Sequence, residues 1–400
     1  MEAAAARAPA TPADTDVAHS EDEGERRTSY LELFFDLVFV FAITQVTALM
    51  IDDPTAAGFA KAALVLALVY WAWSGFAWAT NAIDLSAPAL RVGYVVAAGA
   101  ALGMAIAVPD AYAERAGWFV VCLFVVRMLQ LVLYVGGLRN QPEHRAAILG
   151  LAPWFSVAPT LMLIGGFVDE RPRVVLWLAA VAIDVAGTLR QGPDSGFRIS
   201  PGHFAERYAL FIIIALGESI VAVGTGLAGH TKDAAFAGAL AVAFVGVAAI
   251  WWAYFDFTAA VLARVLASRP PEQRGPLARD VFTLCHYPIV LGIILFAVAA
   301  KKTVANPTEP LSGAGRFALA GGIAMFLIGF ALGRYRIVRH VAYERVGAAV
   351  AGIVAVLVFP DVDALALMAI VVGILVAGLA SEAVHLRTFR AEVRSGPTQN

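Results

Sequence analysis

Glu32 and Asp36 stand four positions apart in an otherwise apolar run, Leu31-Glu32-Leu33-Phe34-Phe35-Asp36-Leu37-Val38-Phe39-Val40. Four residues make about one helical turn, so both carboxyls fall on one helix face as like charges unless a cation stands between them. Such a pair can hold a proton or a small cation. Ser29 precedes Glu32 by the spacing of a capping box, so Glu32 also reads as the residue that closes the start of a helix. Asp36 lies deeper and has no such plain explanation.

A third carboxylate, Glu218, is hidden in a second apolar run that starts with charge, His203-Phe204-Ala205-Glu206-Arg207-Tyr208 and onward to Gly217-Glu218-Ser219. Counted along a helix it sits about four turns in, near mid-membrane, where an ionised carboxylate is costly unless it is paired, protonated or turned to the bundle interior. The obvious partner is Arg127, midway along another apolar run. An Arg127–Glu218 pair would be either a structural lock or part of a transport route. Glu206 and Asp256 support the candidate pathway of Asp36, Glu218, Arg127 and Glu32, with Arg207, Asp184 and His286 at related depths. For His286 alone a satisfied packing histidine is the simpler reading.

Other chemistries find little here. There is no Gly-rich phosphate loop, no Ser/His/Asp order and no metal-ligand spacing, so no cofactor, no metal and no enzymatic activity are expected. An intramembrane enzyme would need a polar cavity holding a substrate head group. Cys122 and Cys285 fall singly in apolar runs and read as small core residues. A net charge of -2 and the lack of a basic block with interleaved aromatics speak against nucleic acid as a partner. The partners expected are membrane lipids, a small ion or proton and, as an open possibility, further copies of the chain.

The elements that must position these residues are membrane helices. The chain is 60% hydrophobic and 15% charged, with a mean hydropathy of +0.75. Its apolar runs are long, Ala- and Leu-rich and not alternating, which excludes a β-barrel reading and gives an all-α bundle. Twelve spans are predicted at 31–50, 59–80, 92–109, 117–138, 146–168, 174–188, 204–227, 234–263, 281–300, 316–336, 346–359 and 364–385. The sixth and eleventh are short. Residues 1–27 and 387–400 are predicted tails, the first Ala-, Pro- and acid-rich and expected to be disordered.

With the N-terminus inside, about 19 of the Lys and Arg residues fall in cytoplasmic segments and about 8 outside, the bias the positive-inside rule requires. Arg264, Arg269, Arg274 and Arg279 are expected in one cytoplasmic loop, and Arg334, Arg336, Arg339 and Arg345 in another. Both termini are therefore expected in the cytoplasm.

The halves resemble one another. The second span carries Tyr70-Trp71-Ala72-Trp73 and the eighth carries Ile250-Trp251-Trp252-Ala253-Tyr254. The first and seventh each open with a glutamate, and the third and ninth share a Leu-Gly step at Leu102-Gly103 and Leu291-Gly292. A tandem repeat of six plus six helices, 28–190 and 200–386, is the expectation.

Four motifs carry a resemblance to a known family: Glu32-Leu33-Phe34-Phe35-Asp36-Leu37-Val38-Phe39, Arg127-x-x-Gln130-x-x-x-Tyr134, Glu206-Arg207 to Gly217-Glu218-Ser219, and Trp251-Trp252-x-Tyr254-Phe255-Asp256. Over residues 29 to about 385 the chain resembles the low temperature requirement protein A (LtrA) family of bacterial membrane proteins. The resemblance implies a multi-pass membrane protein linked by name to growth in the cold, and supplies no biochemical activity. More distantly, Phe35-Asp36-Leu37-Val38-Phe39-x-x-Ala42-Ile43-Thr44 is similar to the first helix of lysosomal and bacterial potassium channels with a Phe-Ser-Asp motif. Phe35 replaces the motif serine here.

The carboxylates and the repeat point to a secondary transporter or a cation/proton channel. A non-transporting structural or sensory membrane protein involved in cold or stress adaptation is the alternative.

Overall fold

A computed structural model describes residues 27–190, 199–225 and 233–387. The expected tails outside 27 and 387, and the last two residues of the expected seventh span, lie outside the described residues. The elements are α1 (Tyr30–Asp52), α2 (Ala56–Ala82), α3 (Pro88–Ala107), α4 (Ala116–Gly137), α5 (Pro142–Gly165), α6 (Glu170–Leu189), α7 (Pro201–Thr225), α8 (Ala234–Phe255), α9 (Thr258–Ala267), α10 (Pro271–Leu277), α11 (Cys285–Ala305), α12 (Gly313–Val338), α13 (Tyr343–Val358) and α14 (Ala364–His385). No strand occurs among the described residues, so the fold is the all-α bundle that the apolar runs require.

Polar residues at the loop edges set where the helices begin. Ser29, Thr55, Asp233, Ser312 and Asp363 each accept a backbone N–H of the first turn with their side chains. Proline opens α3, α5 and α10, where a missing N–H costs nothing.

Eleven helical spans among the described residues are long and apolar enough to cross a bilayer. Two of them are composite. Ala234–Ala267 is α8 and α9, broken at Phe257, which leaves helical geometry with φ −146°. Pro271–Ala305 is α10 running through a π-helical stretch, Ala278–Leu284, into α11. This corrects the loop expected at 264–280: Arg264, Arg274 and Arg279 lie on helical turns, and Arg269 is left in the link. The sixth helix is full length at 20 residues, not short. The expected eleventh span, α13, is short as expected: 16 residues, about 24 Å at 1.5 Å per residue, below the length a full span needs.

Helix packing follows one order twice. In the first half α1 packs on α2 and α3, then α3 on α4, α4 on α5, α5 on α6, and α2 returns to α6. In the second, α7 packs on α8 and α11, then α11 on α12, α12 on α13, α13 on α14, and α8 returns to α14. The halves join where α1 lies along α7, flanked by α2 and α11, the two most enclosed helices. In a bilayer such packing rests on close fit and polar pairing, because lipid tails offer apolar side chains no worse a home than protein does. The closest approach is between α11 and α12. A Cβ on Gly292 would lie 2.4 Å from the Phe326 nitrogen, and one on Gly322 would lie 2.7 Å from the Phe296 nitrogen. Gly103, the other member of the Leu-Gly step, holds the corresponding approach of α3 to α4, with Cys122 Sγ 2.9 Å from where its Cβ would be.

Candidate functional site

The first turn of α1 is built by the capping box. Ser29 N and Oγ both donate to Glu32 Oε2, at 2.8 and 2.9 Å, and Glu32 N donates to Ser29 Oγ at 3.3 Å. That uses one carboxylate oxygen. The other, Oε1, lies 3.0 Å from His203 Nε2 on α7. Asn81, near the end of α2, fixes the histidine tautomer. Its amide is oriented by Ser200, whose N–H donates to Oδ1 at 2.9 Å and whose carbonyl accepts from Nδ2 at 3.1 Å. Nδ2 also lies 3.1 Å from His203 Nδ1, so that ring nitrogen is the acceptor and Nε2 carries the hydrogen given to Glu32. The ring is neutral in this arrangement.

One turn further in, Asp36 Oδ2 accepts from Arg207 Nη1 at 2.6 Å and Oδ1 accepts from Trp73 Nε1 at 2.9 Å. The guanidinium stands 5.7 Å from the Trp73 ring centre. Glu32 is 1% exposed, Asp36 3%, and His203 and Arg207 0%. Two carboxylates, one arginine and a neutral histidine leave one surplus negative charge in a desolvated site. Arg207 Nε and Nη2 and the Tyr94 hydroxyl are buried there without hydrogen-bond partners among the described residues, room for ordered water in polar surroundings.

The site has a way in. A vestibule of about 730 Å³ at the start of α1 reaches Glu32 and is lined by Arg27, Ser29, Asp84, Ser86 and Arg91. Asp36 instead borders an apolar groove between α1 and α7, with Leu37, Val40, Leu210 and Ile213.

Glu218 lies farther along the same two helices. Its Oε2 is 2.5 Å from Thr44 Oγ1, which also lies 3.2 Å from the Val40 carbonyl. Arg127 is not its partner. Arg127 Nη2 donates to Asp184 Oδ1 at 2.8 Å, tying α4 to α6 inside the first half. The expected Arg127–Glu218 pair fails because counting residues gives depth alone, and Asp184 and Glu218 share a depth on different sides of the bundle. Arg127 also lines a small cavity of about 50 Å³ with Trp71, Ser74, Gln130 and Thr283. Hydrogen bonds run from it through Ser74, Tyr208 and Thr283, at 2.7 and 2.8 Å, into the π-helical stretch.

The remaining expected residues stand apart. Glu206 is exposed and accepts the Thr28 N–H at 2.9 Å, holding the chain that enters α1. Asp256 closes α8 at its break and takes no part in the Asp36–Arg207 pairing. The two aromatic clusters differ in direction: Trp73 is fully buried against Asp36, whereas Trp251 and Trp252 are 43% and 53% exposed on the outside of the bundle. His286 is a satisfied core residue, with Nδ1 2.9 Å from the Val281 carbonyl and Nε2 2.8 Å from the Tyr254 hydroxyl. Among the described residues no group of three or more His, Cys, Asp or Glu could hold a metal ion.

Sequence alone groups Arg207 with Asp36 and Glu206 in one polar cluster but gives His203 no role, because a charge or histidine at a helix start looks interfacial. The spacing of His203 and Arg207 was the available signal. His203-x-x-x-Arg207 on α7 matches Glu32-x-x-x-Asp36 on α1, and the pairs meet in register.

Comparison with known proteins agrees with this architecture. The family described as bacterial low temperature requirement A protein (LtrA) matches residues 27–380. An uncharacterized protein of Rhizobium meliloti (strain 1021), RA0937, is 30% identical over 321 residues, 77% of each chain. No solved structure matches, so the likeness of the first helix to the Phe-Ser-Asp potassium channels gains no support.

Proposed function

The chain belongs to the bacterial low temperature requirement A family and is a multi-pass membrane protein, and from that premise we propose that it is a secondary transporter or cation/proton channel working through the α1–α7 seam. The observation that carries this reading is the charge count of the buried site: Glu32 and Asp36, both desolvated, share one buried arginine, Arg207, among the described residues. A buried uncompensated carboxylate is unstable unless a proton or small cation comes to it.

Glu32 is the exchanging group, since the vestibule reaches it and its Oε1 lies 3.0 Å from His203 Nε2. Asp36 and Arg207 form the lock one turn deeper. Glu218 is the next station. Thr44 Oγ1 donates to Glu218 Oε2 at 2.5 Å and stands 3.2 Å from the Val40 carbonyl of its own helix, so Glu218 is held to α1 through a hydroxyl. Between the lock and Glu218 lie about two turns packed with Phe39, Ile43 and Phe211, a dry gap that closes the route in this conformation. The six-plus-six repeat, supported by the repeated packing order, makes α1 and α7 counterparts whose pairing links the halves. The reading is non-enzymatic, with both termini in the cytoplasm of the bacterial cytoplasmic membrane.

A structural or sensory role in cold or stress adaptation is favoured by one observation, the closed 2.6 Å contact of Asp36 with Arg207. The two readings separate in proteoliposomes. Proton or monovalent-cation flux is expected in the wild type, and its loss in Glu32→Gln and Glu218→Gln vesicles containing folded protein. No flux under any imposed gradient, or equal flux in all three, sinks the transport reading.

A further inference from the structure

A second cavity, of about 280 Å³, lies away from the α1–α7 seam, enclosed by α9, the start of α11, the end of α12 and the facing ends of α13 and α14. Most of its wall is aliphatic, with Val261, Leu262, Val265, Ile289 and Ile337. One end is charged and holds Arg334, Arg345 and Glu382. Arg345 is committed there: its Nε lies 3.1 and 3.0 Å from the two Glu382 oxygens, and its guanidinium sits 4.3 Å from the Phe330 ring centre. Glu382 is thereby engaged at both oxygens. Arg334 is left over. Its Nη1 is 3.7 Å from Glu382 Oε1, beyond hydrogen-bond range, and is buried with no acceptor among the described residues.

Arg334 and Arg345 share this end with Glu382, with Glu344 also beside Arg334, and the Arg334 Nη1 donor is left unfilled at the end of an apolar cavity. A polar metabolite would meet an aliphatic wall with nothing to bind its other groups. The complement is a single acidic head on an aliphatic tail. One guanidinium donor and one apolar compartment match one head and one chain, where a phospholipid would bring two.

We propose that this cavity binds a single-chain aliphatic carboxylate, its head on Arg334 and its tail between α9, α11 and α12. The site does not depend on the transport reading, because it shares no residue with the α1–α7 seam.

Cys285 lines the cavity and reports on it. The test uses the full chain carrying Cys122→Ala, reconstituted in phosphatidylcholine nanodiscs, and follows the rate at which a small maleimide modifies Cys285. Decanoate should slow the reaction, and neutral decanol at the same concentration should not. Arg334→Gln should raise the decanoate concentration needed for half-protection at least tenfold. Val261→Phe, which fills the space from α9 and leaves Arg334 in place, should remove protection and decides the matter if Arg334→Gln does not fold. Equal protection by decanol, protection unchanged in both variants, or no protection by decanoate overturns the proposal. Protection by phosphatidylglycerol alone overturns the single-chain assignment.

Discussion

Removing Asp36 should destabilise the wild type yet stabilise a protein that lacks Arg207, a reversal of sign that follows from counting charge in the site. In the wild type, Asp36→Asn breaks a 2.6 Å ion pair and strands a fully buried guanidinium, softened by the Glu32 carboxylate one turn away. Breaking a buried pair by removing one partner costs about 3–5 kcal/mol, and the remaining carboxylate should bring this toward the lower end. Arg207→Gln is worse, because it leaves both carboxylates with no cation. Two charges about 6 Å apart on one helix face repel by about 3 kcal/mol at an effective dielectric of 20. In that background Asp36→Asn removes the repulsion and should recover about 2–3 kcal/mol. The double-mutant cycle is measured by SDS-induced unfolding in mixed micelles, with each variant titrated at neutral and mildly acidic pH. Acidification should narrow the deficit of Arg207→Gln, since proton uptake by either carboxylate removes a charge. If Asp36→Asn destabilises by the same amount with and without Arg207, the site does not hold two ionised carboxylates and the charge argument is wrong.

Glu218→Gln should change stability by less than about 1 kcal/mol, because the amide oxygen can accept from Thr44 as the carboxyl oxygen does; a loss above about 3 kcal/mol in the same unfolding assay would mean that the charge of Glu218 is itself held by a partner. Gly292→Ala should cost about 2 kcal/mol or more and lower the yield of folded protein, since the added Cβ falls 2.4 Å from a backbone nitrogen of α12, whereas Gly99→Ala, with nothing within 4 Å, should be neutral or slightly stabilising. For orientation, a cysteine at Arg269 should resist a membrane-impermeant thiol reagent on intact cells while one at Glu309 reacts, and the opposite pattern would invert the proposed topology.

The crossings were legible because a span is a one-dimensional feature: about twenty apolar residues between polar edges. Capping residues sharpened the starts, and Ser29 with Glu32 was read correctly as a capping box. What a linear count cannot supply is rotation about each helix axis and position across the bundle. That is why Arg127 was matched with Glu218 when Asp184 lies beside it, and why Trp251 and Trp252 were expected to mirror Trp73 when they face outward. The loop expected at 264–280 failed for another reason. Prolines at 270, 271 and 276 and a run of charges suggest a break, but Pro271 opens a helix and the π-helical stretch carries it past Pro276 into α11.

Of the buried polar contacts, those between α1 and α7 differ in kind from the rest. Arg127–Asp184 joins two helices of the first half and Arg345–Glu382 two of the second, so losing either damages a half from within. Glu32–His203, Asp36–Arg207 and Thr44–Glu218 all cross between the halves, and they lie along one seam of about 18 Å, with the Asp36–Arg207 ion pair in the middle. Of the three, the middle contact is the ion pair, and a proton on Asp36 would release Arg207. Under the proposed transport reading, a proton arriving from the vestibule would alter how the halves are held together without touching how either half is folded, and that separation is what an alternating mechanism would use.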